Sequence, residues 1–273
     1  MQIAFGARSD TGRARENNED RFALAPELNL FVLSDGMGGL AAGEVASKLA
    51  AEVVIGHCRE VARNPALPLI GEHLDGMSAI SNRLASAIRT ANRAVYAAAQ
   101  DNEKKRGMGA TVVALWFVDE VRVSIAHVGD SRIYRLRGED FVQLTEDHSF
   151  VAEQVRRGMM TKHEAENSEM QSVLLRALGV EPEVQVDAAE KDLVEGDTLL
   201  LCSDGLTREL SNAQISATLA EMEDPQEAAD RLIDLANEAG GGDNITAVVL
   251  RYAAKPVGTF KRIGKWFKGS EKR

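Results

Sequence analysis

The chain has 273 residues, 44% of them hydrophobic and 27% charged, a balance that excludes intrinsic disorder and suffices for one large buried core. Its net charge of -10 is uneven, because residues 255–273 carry seven basic residues and one acidic residue, a local +6 that leaves -16 on residues 1–254. An acidic body of this kind excludes nucleic acid as a natural partner and favours metal cations.

In chain order, QIAFG (2–6), RFALAP (21–26) and LNLFVLSD (28–35) predict three strands, followed by helices over about 43–62 and 77–104. In the second helix Met77, Ile80, Leu84, Ile88, Ala91, Val95 and Ala98 fall at steps of three and four, a core-facing stripe. TVVALWFV (111–118), VRVSIAHVGD (121–130), SRIYRLR (131–137) and DFVQLT (140–145) then predict an antiparallel meander with polar turns. Residues 146–180 become helical and irregular. Strands return at VQVDAAE (184–190) and DTLLLCSDG (197–205), helices at 212–221 and 225–239, and a last strand at ITAVVLRY (245–252). Strands and helices arriving in blocks predict antiparallel sheets covered by helices, an α+β class. No apolar run approaches the ~18 residues that span a bilayer, and the first residues show no basic-then-apolar leader. Cys58 and Cys202 sit among aliphatic neighbours and read as buried thiols of a reducing, cytoplasmic protein.

Four aspartates lie beside a glycine at a strand end: Asp35 in LFVLSDG, Asp130 in IAHVGDS, Asp204 in LLLCSDG and Asp243 in GGGDNITAVV, while Glu19 and Asp20 precede a fifth strand. A single Asp-Gly is ordinarily a turn. Asp35 and Asp204 each follow four or more apolar residues, where an unpaired carboxylate is costly, so they predict convergence on a cation. An all-oxygen set without a His or Cys cluster selects Mg²⁺ or Mn²⁺ over zinc. Two such ions ~4 Å apart can activate a water for in-line attack on phosphorus, and Arg15, in RENNED, offers a fork of donors for the phosphate oxygens.

Eight ordered blocks resemble the protein phosphatase 2C family, the metal-dependent Ser/Thr phosphatases, in its compact bacterial form: RENNED (15–20), SDGMGGLAAGEVAS (34–47), MGATVV (108–113), VGDSRIY (128–134), LTEDHSFV (144–151), LLRALG (174–179), SDGL (203–206) and GGDNITAVV (241–249). The resemblance implies a four-layer α-β-β-α sandwich over residues 1–254, with a flap at about 145–189 and metals at one edge. It implies that Asp35 bridges two ions, that the Gly36 carbonyl binds the second, that Asp204 and Asp243 hold the first, and that Asp130 supports a third, weaker ion. Glu19 and Asp20 would act through water, Arg15 would grip the phosphate and Asn244 would support Asp243. The implied activity is hydrolysis of phosphoserine and phosphothreonine in proteins, opposing a Ser/Thr kinase. Three departures stand out. Met37 occupies a place where many eukaryotic members have a proton-donating His, so water at the metal site must protonate the leaving group. ENSEMQSVLL lacks the usual His-Pro pair of the flap, and Ala110 stands where Thr is common.

Two rival readings remain in view. Gly36, Gly38 and Ala41 fit a dinucleotide-binding G-x-G-x-x-A, but Asp35 would repel a pyrophosphate and two successive helices leave no βαβ unit. A catalytically inactive phosphoprotein-binding regulator of the same fold would have no physical need for Asp35, Asp204 and Asp243 together. His127 reads as a hydrogen-bonded core residue and His148 as structural; His57, His73 and His163 have no ligand spacing. The segment 255–273, with Phe260, Ile263 and Phe267 at steps of three and four among basic residues, reads as a disordered tail or as a basic amphipathic helix that touches a partner, an anionic membrane or the acidic body.

Overall fold

The computed structural model describes residues 2–38, 42–101 and 105–253; the predicted basic tail, Ala41 and the end of the second predicted helix lie outside them. Among the described residues eleven strands form two sheets, and every pairing is antiparallel. The first sheet runs β1 (Gln2–Asp10), β11 (Ile245–Ala253), β10 (Thr198–Cys202), β7 (Arg132–Arg137), β8 (Asp140–Gln143). The second runs β2 (Asp20–Ala25), β3 (Leu30–Met37), β5 (Val112–Phe117), β6 (Arg122–Val128), β9 (Asp187–Asp192), with the short β4 (Gly109–Ala110) on the end of β3. Helices α1 (Ala42–Arg63) and α2 (Ala79–Gln100) pack on the second sheet, and α5 (Asp204–Glu209), α6 (Asn212–Glu221) and α7 (Pro225–Ala239) pack on the first. The predicted four layers are present.

Strand residues alternate between two cores, which explains why the strands read as unbroken apolar runs. In β3, Phe31 and Leu33 enter the core between the sheets, while Leu30 and Val32 face α1 and α2. Leu199 and Leu201 of β10 enter the same central core, and Leu200 and Cys202 face α6 and α7. Both cysteines are free and buried, as expected, and burial pushes the Cys202 thiol up to about 12. Helix α2 begins after Ser78, whose hydroxyl caps it by accepting the Ser81 N–H. Among the described residues no helix is long and apolar enough to cross a membrane. Helix α1 leads to α2 on the same face, so the βαβ unit of a dinucleotide site is absent there.

The predicted four-stranded meander is corrected. β5 pairs with β6 and β7 pairs with β8, but β6 and β7 belong to different sheets. The chain crosses between sheets at 129–131, where Gly129 holds a φ of 106°, a region open to glycine and strained for other residues. Residues 144–186, most of the predicted flap, contain only the short helices α3 (Phe150–Arg156) and α4 (Lys162–Glu166), and the segment ends where β9 joins the sheet edge at Asp187.

Candidate metal centre

The predicted carboxylates meet at one edge of the sandwich because the strand register puts them there. Asp20 and Asp35 are cross-strand partners on β2 and β3. The Gly36 N–H donates to the Glu19 carbonyl at 3.1 Å, and Gly36 lies so close to α1 that a Cβ on it would come 2.0 Å from the Gly43 carbonyl oxygen. Asp35 is held from the other side, its N–H donating to Thr111 Oγ1 at 3.0 Å, and Thr111 is bonded in turn to Ser131 at 2.7 Å. Ser131 follows Asp130 in the crossover, so one hydroxyl pair links two of the predicted ligands.

Asp20 is buried. Its Oδ2 accepts from Ser203 and Thr246, both at 2.7 Å, and these hydroxyls reach it from the opposite sheet, Ser203 just past the end of β10 and Thr246 in β11. Its Oδ1 is buried without any partner, an expensive state for a carboxylate. Burial pushes the Asp20 carboxyl up to about 7, and does the same to Asp130, where Asp204 and Asp147 add repulsion. Asp35 is held well above the carboxylate range, first by burial and then by Asp20, Asp204, Asp130 and Asp243. Burial also raises Asp204, against the attraction of Arg208. Five acids repelling one another in a buried cleft are retained at a cost that a bound cation removes.

Arginines supply part of that positive charge. Arg15 Nε lies 2.9 Å from Asp243 Oδ1 and its Nη2 3.1 Å from Oδ2, a two-pronged pair with the Arg15 side chain 54% exposed. Arg208 pairs with both Asp204 and Asp243. Asn244 bonds in two directions. Its side chain accepts the Glu19 N–H at 2.8 Å and donates to the Thr11 and Asn17 carbonyls, fastening the RENNED loop to the start of β11, while only its backbone N–H reaches Asp243. Glu19 receives the Gly43 N–H at the start of α1 and is raised by burial. Met37 packs beside Gly109, its register partner on β4, and its thioether has no proton to give.

Arg208, Ser203, Thr246 and Thr111 were not singled out in the sequence. Arg208 had a readable signal, four residues after Asp204 on a helix; the three hydroxyls had none, because each acts across a strand or a sheet. The predicted oxygens do not draw three together within 4.8 Å; the set that does, among the described residues, is His127, His148 and Asp187. An unpartnered Asp20 oxygen, clustered acids and an oxygen-only donor set fit Mg²⁺ or Mn²⁺.

Fold and site thus define a metal-dependent enzyme built on an α-β-β-α sandwich. The family model for protein phosphatase 2C matches residues 11–237. The serine/threonine phosphatase stp of Listeria innocua is 39% identical over 246 residues, 89% of this chain and 93% of the relative. The protein phosphatase PhpP of Streptococcus pneumoniae is 33% identical over 245 residues, with 89% and 94% covered. The crystal structure of the Mycobacterium tuberculosis serine/threonine phosphatase PstP/Ppp matches with a TM-score of 0.79 at 36% identity, over 92% of this chain and 99% of that one. A PstP catalytic domain in complex with two manganese ions matches with a TM-score of 0.77, also at 36% identity and the same coverage. The chain belongs to the protein phosphatase 2C family.

Proposed function

We propose that this protein hydrolyses phosphoserine and phosphothreonine in other proteins, with Mn²⁺ or Mg²⁺ as cofactor. The observation that carries the reading is the convergence of Asp35, Asp204, Asp243, Asp130 and Asp20 at one sheet edge, with burial and mutual repulsion raising Asp35, Asp204, Asp130 and Asp20. When bound there, two divalent cations supply an activated water and neutralise the phosphoryl oxygens. Asp35 and the Gly36 carbonyl are assigned to hold them from β3, Asp204 and Asp243 from the opposite sheet, and Asp130 to hold a weaker third ion. Arg15 lies half-exposed at the rim and trades Asp243 for two phosphate oxygens of the substrate, which its planar fork matches. Glu19 and Asp20 stand behind these groups, Glu19 fixing α1 against β3 and Asp20 presenting its free oxygen. No protein side chain is assigned as the proton donor to the leaving serine or threonine.

The same reading gives residues 1–254 as the catalytic domain and 145–189 as a flap beside the cleft. A Ser/Thr kinase is its natural counterpart, and the two free, buried cysteines support a cytoplasmic location. Residues 255–273 offer a basic surface to a partner or an anionic membrane, and truncation after Ala254 tests that role by localisation and partner binding. Hydrolysis of p-nitrophenyl phosphate tests the activity: turnover with Mn²⁺ that chelator abolishes is expected, and turnover that is absent with metal or indifferent to chelator defeats the reading. An inactive phosphoprotein-binding relative has no observation in its favour.

A further inference from the structure

The crossover that carries Asp130 is gripped by a residue that the metal site does not use. A Cβ on Gly129 would lie 2.6 Å from Thr111 Cβ, so the turn presents bare backbone to its surroundings. His148 holds that backbone at both ends: its own N–H donates to the Gly129 carbonyl at 3.0 Å, and its Nδ1 accepts the Gly129 N–H at 3.1 Å. A backbone N–H only donates, so Nδ1 is the unprotonated ring nitrogen and Nε2 carries the hydrogen. Nε2 lies 3.2 Å from Asp187 Oδ2 at the start of β9, a carboxylate oxygen that can accept that hydrogen. The His148 carbonyl accepts the Leu175 N–H at 2.8 Å, and Ser149 bridges to Leu174. One residue therefore touches the Asp130 turn, the sheet edge and the segment 174–175.

His127, stacked on His148 at 4.7 Å with 17° between rings, completes a group with Asp187 whose ligand atoms lie within 4.8 Å. The group is not a cation site. Arg176 already supplies the positive charge, its Nη1 lying 2.6 Å from Asp187 Oδ1 and 3.1 Å from His148 Nε2, and His127 Nε2 is engaged with the Glu146 carbonyl at 2.8 Å. What remains is an oriented imidazole with one acceptor aimed at one amide.

We propose that His148 is a positioning residue for the metal centre, its Nδ1 clamping the Gly129 amide so that the Asp130 carboxylate stays in the cleft and is tied to the segment 174–175. The proposal rests on the assignment of Asp130 to a weaker third cation. Asp130 is 7% exposed and faces the repulsion of Asp204 and Asp147, so a turn released from His148 has reason to swing that carboxylate outward. Partners that orient a ligand without touching the ion commonly tune its affinity by ~10- to 100-fold.

The test compares three variants of the full chain. His148→Asn places an oxygen acceptor where Nδ1 stands, His148→Gln reaches only toward Asp187, and His148→Ala removes both contacts. The first readout needs no metal: the Gly129 amide, followed by ¹H–¹⁵N NMR and hydrogen exchange in chelator, stays protected in wild type and H148N and loses protection in H148Q and H148A. The second is the Mn²⁺ concentration for half-maximal phosphopeptide hydrolysis, expected to rise on the order of tenfold in H148Q and H148A and to stay near wild type in H148N, with the peptide KM unmoved. Equal behaviour of H148N and H148Q in either readout overturns the proposal, and that comparison stands even where H148A fails to fold. Asp130→Ala separates the two layers: an unchanged Mn²⁺ requirement there removes the assignment of Asp130, whereas a raised requirement in D130A with none in H148Q removes only the role of His148.

Discussion

Arg15 and Asp35 carry opposite lessons about what a single side chain does in this site. Asp35 is half-buried among four other acids, and under the proposed function its replacement removes a cation ligand. Asp35→Asn is expected to lower kcat/KM on the order of a hundredfold or more, ~3 kcal/mol of transition-state stabilisation, and steady-state kinetics at saturating Mn²⁺ will show it. Arg15 is half-exposed and its pair with Asp243 contributes little to folding. Arg15→Lys keeps the charge and loses the fork; phosphopeptide KM should rise about tenfold, ~1.4 kcal/mol, with the melting temperature unchanged. An unchanged KM would remove Arg15 from phosphate recognition. Asp35, Asp204 and Asp243 were legible because a charge ending an apolar strand beside glycine conflicts with local expectation, and such conflicts collect at functional sites. Ser203 and Thr246 were not, since a serine or threonine in or beside a strand conflicts with nothing until the fold brings Asp20 within 2.7 Å.

Elements meet here at backbone contact, and glycines set how close they come. Gly6 of β1 sits under α7, where a Cβ would come 2.3 Å from Gln226 Cα. Gly6→Ala must push α7 off the first sheet, and overpacking of this sort costs ~1–3 kcal/mol. Urea unfolding should show a lower midpoint with an unchanged slope, while activity per folded molecule is kept; an unaltered midpoint would mean that α7 shifts freely. The helices and most strands followed from periodicity, and the start of α2 at Ala79 and the start of α7 at Pro225 fall close to their expected places. The meander failed for a physical reason. Strands β6 and β7 are adjacent in sequence and each buries residues in a core, yet the crossover at 129–131, with Gly129 in the left-handed region, leads them to different sheets. Pattern reports that a residue faces a core; it does not report which of two cores.

The whole molecule couples its stability to the cleft. Without a cation, Asp20 and Asp130 hold protons up to about 7 against 3.8 for an ordinary aspartate. Their folded pKa is raised, so the stability they contribute is complete below about pH 4 and is lost as pH climbs through about 7. In chelator the melting temperature should therefore fall between pH 6 and pH 8, and Mn²⁺ should raise it more at pH 8, where fewer protons must be displaced. A chelated protein that melts higher at pH 8 would contradict this account of the acids. At this scale the two covered sheets were legible from the block order of elements, but the pairing of β1 with β11 was not, because it joins the first and last described strands, more than 230 residues apart, and only the closed fold brings them together. That closure is also what delivers Asp243 and Asp35 to one cleft. Anomalous diffraction at the manganese edge from crystals grown with Mn²⁺ reads the result directly: two strong peaks bounded by Asp35, the Gly36 carbonyl, Asp204 and Asp243 are predicted, and a cleft without manganese, or manganese bound elsewhere, would contradict the account.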